Sequence, residues 1–153
     1  MAVRFQTSAA NYQSRSSDLL DYNSTYTWMA WCYLASDLDA NQVVFFIRNA
    51  DASQSDFVGT ITSGVDLVAA VNGGSGSTQA TWTVGQTRHV CLRRSSSSSL
   101  DLIVDGVLIG SDTTAAGISR TLTAMESGSV LSGALARWDG HKFAEKAWSA
   151  SLS

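Results

Sequence analysis

Two glutamates, Glu126 and Glu145, are the only ones in this 153-residue chain. Glycoside hydrolases use a pair of carboxyl groups about 5 to 9 Å apart across the scissile bond, and these two glutamates lie in unlike contexts that give no such pair. A serine hydrolase needs a serine, a histidine and an acid, and His89 and His141 are the only histidines. No Gly-x-Ser-x-Gly elbow accompanies them. We therefore predict a non-enzymatic protein with no catalytic residue.

Oxygen donors alternate at Asp37, Asp39 and Asn41, like the first three ligands of a calcium loop. The rest of that motif is missing, because Gln42 stands in the position of its glycine and Arg48 in that of its bidentate glutamate. We predict a solvated acidic turn, with a Ca²⁺ site as the lesser alternative. No other cofactor is expected.

Sugar-binding sites on β-proteins combine an exposed aromatic ring with a few polar groups that bind hydroxyls. Trp138 lies beside a turn, Asp139 follows it, and Trp82 comes after a Gly/Ser-rich segment. Trp138 is the tryptophan most expected to be exposed and Trp82 the next, and Trp138, Asp139 and Trp82 are candidate ligand-binding residues. Packing of these rings in the core or at a subunit contact is the favoured interpretation, and a sugar platform is the lesser alternative. Trp28 and Trp31 must point to opposite faces of one strand.

Charged residues make up 15% of the chain, below the globular average of about 25%, while hydrophobic residues make up 44%. This balance favours short strands with polar turns over long helices, whose exposed faces need Glu, Lys and Arg. The net charge of -3 argues against a nucleic-acid partner, which would require a basic face. Length and continuity predict one domain over residues 1–153.

The longest purely apolar run, Val43 to Ile47, is too short to cross a bilayer, so membrane insertion is not expected. The first residues lack the apolar stretch of a signal peptide. We therefore expect a cytoplasmic protein, or one that reaches a virion or extracellular surface without a signal peptide.

Segments rich in aromatic and β-branched residues recur at short intervals, with turn residues between them and no helical crossover. The predicted strands are residues 26–34, 43–48, 57–61, 65–71, 81–84, 88–94, 100–104 and 107–109, with 95–99 as a hairpin loop. Asp105-Gly106 is a strong hairpin signal. Together these features predict an antiparallel two-sheet sandwich.

Cys32 and Cys91 both lie inside predicted strands rather than in loops. Two buried free thiols are favoured over a disulfide, because buried cysteines commonly serve as small apolar residues. No Cys-x-x-Cys or Cys/His ligand spacing is present.

Three segments in order resemble the laminin-G-like, concanavalin A-like superfamily of jelly-roll sandwiches. Tyr26-Thr-Trp-Met-Ala-Trp31 is similar to its Phe-Thr-Ile-Ser-Ala-Trp strand, and Arg88 to Leu92 with Leu100 to Gly106 is similar to its His-His-Val-Ala strand and Leu-Tyr-Val-Asp-Gly hairpin. Residues 133–137 and 147–152 resemble its closing strand and tail. The resemblance implies an all-β, antiparallel jelly-roll fold and raises the expectation of calcium at a sandwich edge.

Sandwich folds serve many functions, so the fold alone does not choose among them. We predict a structural or adhesive binding module, a virion-type surface component such as a phage capsid decoration or fibre protein. The alternative is a lectin-like module that recognises a glycan. Expected partners are proteins of a surface assembly, a glycan, or both, and a homo-oligomer is left open.

Overall fold

Two six-stranded β-sheets are formed in the structure, a computed structural model that describes residues 2–5, 13–15, 25–36, 42–48, 55–61, 66–71, 80–96, 99–113, 124–128 and 138–148. Sheet I contains, in spatial order, β1 (Ala2–Phe5), β12 (Gly140–Trp148), β3 (Tyr26–Leu34), β8 (Thr87–Ser96), β9 (Ser99–Val104) and β10 (Val107–Asp112). Sheet II contains β2 (Gln13–Arg15), β11 (Ala124–Ser127), β4 (Gln42–Arg48), β5 (Ser55–Ile61), β6 (Asp66–Val71) and β7 (Ala80–Thr81).

Every strand pair among the described residues is antiparallel, which confirms the predicted sandwich. The core lies between the two sheets and follows the two-residue period of the strands. In β3 the buried inner set is Tyr26, Trp28, Ala30, Cys32 and Leu34. β4 of sheet II packs opposite, and the Phe45 ring stacks on Trp28 at a centroid distance of 4.5 Å. No helix of the described residues is long and apolar enough to cross a membrane.

The β9–β10 hairpin agrees with its sequence signal. Asp105 and Gly106 both have positive φ, 52° and 81°, as a two-residue hairpin turn of the primed type requires. The turn pairs Val104 with Val107. Leu100, Leu102 and Val104 are consequently buried in the core, as the alternation predicted.

Several predicted boundaries are wrong. β5 begins at Ser55 rather than at 57, and β10 runs to Asp112 rather than to 109. The strand expected over 81–84 ends at Thr81, because Gly85 turns the chain and the Gln86 N–H donates to the Thr83 carbonyl at 3.1 Å. The serine tract 95–99 is not all loop, since β8 runs to Ser96 and β9 begins at the paired Ser99. Serine has only a weak conformational preference, and pairing with β9 extends the strand.

Cys32 and Cys91 are free and buried, as predicted. Cys32 belongs to the inner face of sheet I, together with Ala30 and Leu34. Cys91 is directly opposite Met29 in the β3–β8 register and therefore lies on the outer face. Because the sheet separates the two thiols, they cannot bond to each other without reversing a strand.

A β-bulge in β12 redirects one carboxylate. Phe143 is paired with Trp31 but Lys146 with Met29, so Ala144 and Glu145 together oppose a single residue of β3. Ala144 takes the left-handed conformation at φ 52°, which is costly for a residue with a Cβ. Without the extra residue Glu145 would point outward, whereas with it the carboxylate turns inward and accepts a hydrogen bond from Trp28 Nε1 at 2.9 Å.

Lys142 lies on the inner face of β12 and is fully buried. Its ammonium donates to the Val44 carbonyl and to Ser127 Oγ of sheet II, and it lies 4.9 Å from the centre of the Phe45 ring. Ser127 in turn donates to Glu145 at 2.8 Å. A polar chain therefore crosses the sandwich where an apolar core would be expected, and it holds β12 against β4 and β11.

Candidate functional site: the outer aromatic face of sheet I

Five ring side chains gather on the outer face of sheet I, the face turned away from sheet II. They come from the three adjacent strands β12, β3 and β8 and are called here the aromatic face: Trp31, Tyr33, His89, His141 and Phe143. Trp31 and Tyr33 alternate along β3 with the buried Ala30, Cys32 and Leu34, which fixes their outward direction.

Strand register arranges these rings in two rows. Trp31 is directly opposite Phe143 on one side and His89 on the other, and Tyr33 is directly opposite His141. The Trp31 and Phe143 rings are within 4° of parallel at a centroid distance of 6.4 Å. His89 tilts against Trp31 at 5.2 Å, and His141 tilts against Tyr33 at 5.7 Å. Cross-strand ring contacts of this kind stabilise the sheet and hold the rings in place.

The aromatic face is open to solvent. Trp31 is 42% exposed, and it is the one aromatic residue among the exposed large apolar side chains of the described residues. Tyr33, His89, His141 and Phe143 are each half-buried. Farther along β3 and β8 the outer face is more covered, because Thr27 and Cys91 are buried. Lys146 of β12 and Leu108 of β10 are exposed on the same side of the sheet.

His89 is held from both sides of its peptide unit. Its N–H donates to Asp105 Oδ1 at 2.9 Å, and its carbonyl accepts from the Asp105 N–H at 2.9 Å. Asp105, in the turn between β9 and β10, therefore links this hairpin to β8. These two hydrogen bonds hold the backbone of His89 in place, so its imidazole lies beside Trp31 on the outer face of the sheet.

The predicted exposure of Trp138 and Trp82 is wrong. Both rings are buried, and they pack on each other at a centroid distance of 5.2 Å. The turn that precedes β12 folds back onto the sandwich, since the Trp138 N–H donates to the Gly128 carbonyl at 2.8 Å. Trp82 Nε1 donates to the Gln86 carbonyl at 3.2 Å. The structure does bring these two tryptophans together, but neither ring offers a surface on which a sugar could stack.

Asp139 is half-buried and serves as a connector. Its carboxylate accepts from Ser36 Oγ, its N–H donates to Gln42 Oε1 at 2.8 Å, and its carbonyl accepts from the Ala35 N–H at 2.9 Å. Gln42, fully buried, also donates to the Ser36 carbonyl at 2.9 Å. Asp139 therefore joins the end of β3 and the start of β4 to β12.

The candidate calcium ligands Asp37, Asp39 and Asn41 lie outside the described residues, so a calcium site there stays a prediction. Within the described residues, no group of three or more His, Cys, Asp or Glu side chains is placed to hold a metal ion.

The two glutamates are both engaged in structural contacts. Glu126 is buried and forms an ion pair with Arg48 at 2.7 Å. Glu145 accepts from Trp28 and Ser127, as described above. Each carboxylate therefore has a packing role that accounts for its position.

Proximity to a turn is a poor sign of exposure for Trp138 and Trp82, because both turns fold back onto the sandwich. A usable signal was present in β3, where Met29, Trp31 and Tyr33 form one alternating set and Tyr26, Trp28 and Ala30 the other. Both sets are rich in large side chains, so the pattern shows that two apolar faces exist without showing which one faces the core.

Comparison with known proteins agrees with the two-sheet fold. A laminin-G family model of the concanavalin A-like lectin/glucanases superfamily matches residues 6–145. The chain therefore belongs to the concanavalin A-like lectin/glucanases superfamily, as its strand motifs suggested. No curated protein sequence matches the chain.

Solved structures with the same fold include a heptameric SAP-like pentraxin from Limulus polyphemus, with 14% identity and a TM-score of 0.75 over 99% of this chain and 77% of the pentraxin. Domains LG4-5 of the mouse laminin alpha1 chain match at 9% identity and a TM-score of 0.69, over 99% of this chain and 43% of theirs. A Trypanosoma rangeli sialidase complexed with 2,3-difluorosialic acid matches at 11% identity and 0.71, over 86% of this chain and 22% of the enzyme. At these identities the likeness shows the fold alone.

Proposed function

We propose that this chain is a non-enzymatic adhesive module that takes its binding partner on the aromatic face. The observation that carries the proposal is Trp31, a tryptophan 42% exposed at the centre of a preformed cluster of rings. Exposed aromatic groups on a rigid sheet mark interaction surfaces, because they offer much contact area at little cost in conformational entropy. The laminin-G-like fold also supports a binding role in general terms.

The non-enzymatic part of the proposal is supported by the chemistry of the acidic side chains. Glu126 forms a buried ion pair with Arg48, and the half-buried Glu145 accepts hydrogen bonds from Trp28 and Ser127, so both carboxylates are engaged in structural contacts. Incubation with neutral and acidic polysaccharides and with a sialoside should release no reducing ends and no sialic acid. Sustained turnover of any of these substrates would contradict the proposal.

The binding part is tested by Trp31→Ala compared with Val84→Ala. Val84 is also exposed, at 40%, and belongs to the turn after β7, outside the aromatic face. Self-association is measured by analytical ultracentrifugation and sugar binding on a glycan array. We expect the wild type and Val84→Ala to self-associate or to bind a sugar with equal strength. We expect Trp31→Ala to do so more weakly. Equal behaviour of all three proteins in both assays would rule out the aromatic face as the binding surface.

The sequence further leads us to propose a virion-type surface, such as a phage capsid decoration or fibre, as the setting of the module. A low content of charged residues and the missing catalytic constellation support a structural or adhesive role. Mass spectrometry of purified particles from cells that carry the gene should detect the chain. Its absence from the particles, together with its presence in the soluble cell fraction, would contradict this setting.

A further inference from the structure

We propose that the partner of the aromatic face is a second copy of this chain, which packs the outer face of its own sheet I against the same face of the first copy. This inference rests on the proposed function, because it names the partner of the same surface. Three observations carry it: the apolar surface extends beyond the aromatic face, the charges lie on two opposite flanks, and the area suits a reversible dimer.

The apolar surface continues from the aromatic face across the rest of sheet I. In the row next to Trp31, Cys91 is opposite Met29 on one side and Ile103 on the other. Ile103 is in turn opposite Leu108 of the edge strand β10. Met29 and Ile103 are half-buried, and Leu108 is 54% exposed. Two of the four exposed large apolar side chains of the described residues, Trp31 and Leu108, therefore lie on one face of one sheet.

The flank of this face formed by β1 and β12 is basic. Lys146 is exposed there, and Arg4 of β1 occupies the register position opposite His141. The other charged side chains of β12 do not contribute, because Lys142 donates to sheet II and Glu145 accepts from Ser127 of that sheet.

The opposite flank, at the β9–β10 turn, presents a carboxylate. Asp105 keeps 49% of its side chain exposed, with Arg88 in loose contact at 3.8 Å. Arg88 is opposite Cys32 and so belongs to the inner-facing set of β8. Arg93 and Asp101 neutralise each other in an ion pair at 3.0 Å. The outer face thus has apolar rows at its centre and opposite charges on its two sides, as a protein interface has an apolar core and a polar rim.

A two-fold axis parallel to the strands brings the two flanks together. β8 is the middle one of the strands β12, β3, β8, β9 and β10, so rotation about an axis above β8 places β12 of one copy over β10 of the other. Lys146 of each copy then approaches Asp105 of the second copy, and Trp31 faces the side that carries Leu108. An axis perpendicular to the strands would set Lys146 against Lys146. Charge complementarity therefore selects the first arrangement.

The area of the face suits a reversible dimer. Five strands span about 24 Å and three rows of side chains about 20 Å, which gives a flat footprint of roughly 450 Å². The protruding rings make the accessible area larger than this footprint. Each partner in a stable protein–protein interface contributes about 800 Å², so the face corresponds to the small, exchanging end of the known range.

The apolar part of the proposal is tested by analytical ultracentrifugation from about 1 µM to about 500 µM protein. We expect the wild type to dimerise reversibly and Trp31→Ala to raise the dissociation constant roughly tenfold or more, because a central tryptophan carries a large share of the binding free energy. Leu108→Ala should weaken the dimer as well. The matched control is Val107→Ala, the neighbouring residue of β10, which is 60% exposed but paired with the inward-facing Val104. It should leave the dimer unchanged. Thermal melting checks the fold of each variant.

The arrangement of the two copies is tested by changes of charge. Lys146→Glu should weaken the dimer more than Lys146→Gln does, because the reversed charge repels Asp105 of the second copy. Asp105→Asn should also weaken it, while asparagine keeps the left-handed turn conformation and an oxygen for the His89 N–H. A dimer that is unchanged or tighter in Lys146→Glu would contradict the axis parallel to the strands.

The outcomes separate this inference from the proposed function. A wild type that stays monomeric, but binds another partner in a way that depends on Trp31, would overturn the dimer and leave the adhesive module standing. Equal weakening by Leu108→Ala and Val107→Ala, with none by Trp31→Ala, would overturn it in favour of pairing along the edge of β10. A monomeric wild type without any binding that depends on Trp31 would overturn both proposals.

Discussion

Cys32 and Cys91 show how burial governs reactivity at the scale of single residues. Burial raises the pKa of the Cys32 thiol to about 12, although the nearby Lys142 opposes the rise. Burial likewise raises the pKa of the Cys91 thiol to about 11, against the opposing charge of Arg93. The thiolate is the reactive form, so both residues are inert at neutral pH while the protein is folded.

The native protein should therefore fail to react with a disulfide reagent such as DTNB at pH 8, and both thiols should react once urea unfolds the chain. Absorbance of the released thionitrobenzoate measures this. Rapid reaction in the native state, or fewer than two thiols in the unfolded state, would contradict the buried free thiols on opposite faces of sheet I.

Lys142 is a second residue whose surroundings dominate its behaviour. Burial lowers the pKa of its ammonium below the ordinary 10.5, while Glu145 opposes the shift. The folded state thus binds this proton less tightly than the unfolded state does. Stability must rise with pH between the lowered folded value and 10.5, because the unfolded state carries more protons there.

We expect the difference in free energy of unfolding between the wild type and Lys142→Met to shift in favour of the wild type as pH rises toward 10.5. Urea unfolding at several pH values measures this difference. Because the two proteins share all other titratable groups, the difference isolates the contribution of Lys142. The control Lys146→Met makes the same exchange at an exposed lysine of the same strand. A difference in the free energy of unfolding between the wild type and Lys142→Met that does not change with pH would contradict the role assigned to Lys142.

At the scale of secondary structure, the bulge in β12 turns Glu145 toward the core. Lys142 is on the inner face, and His141 and Phe143 on the outer one, through the regular pairing with β3 that precedes the bulge. The strain lies at Ala144, whose φ of 52° suits glycine better.

Ala144→Gly should accordingly stabilise the protein by up to about 1 kcal/mol, since it relieves the strain of a Cβ in the left-handed region. The matched control is Ala147→Gly, the same exchange in regular β12 backbone, which should destabilise by roughly 0.5 to 1 kcal/mol. Chemical denaturation of the two variants measures both effects. Equal destabilisation by both exchanges would show that the bulge stores no strain at Ala144.

At the scale of the whole molecule, a buried ion pair joins the two sheets. Arg94 of β8 contacts Asp56 of β5 at 2.7 Å, and the Tyr26 hydroxyl donates to the same carboxylate at 2.8 Å. Both charged side chains are almost fully buried. Such a pair gives little net stability compared with apolar packing, but removal of one partner leaves an uncompensated charge.

Arg94→Met should cost roughly 3 to 5 kcal/mol in the free energy of unfolding, because Asp56 would stay buried without its cation. Arg88→Met is the same exchange in the same strand, at a partly exposed pair with Asp105 at 3.8 Å, and should cost less than about 1 kcal/mol. Urea unfolding compares them. The double variant Arg94→Met with Asp56→Leu should recover part of the loss, and a cost as small as that of Arg88→Met would contradict the coupling between the sheets.

The local sequence was enough to predict β3 to β10, the Asp105-Gly106 hairpin and the antiparallel sandwich, because these follow from two-residue periodicity and turn chemistry. It also placed Trp28 and Trp31 on opposite faces. It did not predict β2, β11 or the bounds of β12. Only the tertiary structure decided that Trp31 faces solvent while Trp82 and Trp138 are buried against each other. The reason is physical: alternation defines two faces, but the choice between them depends on strand register and on which sheet packs opposite, and those partners are distant in the chain.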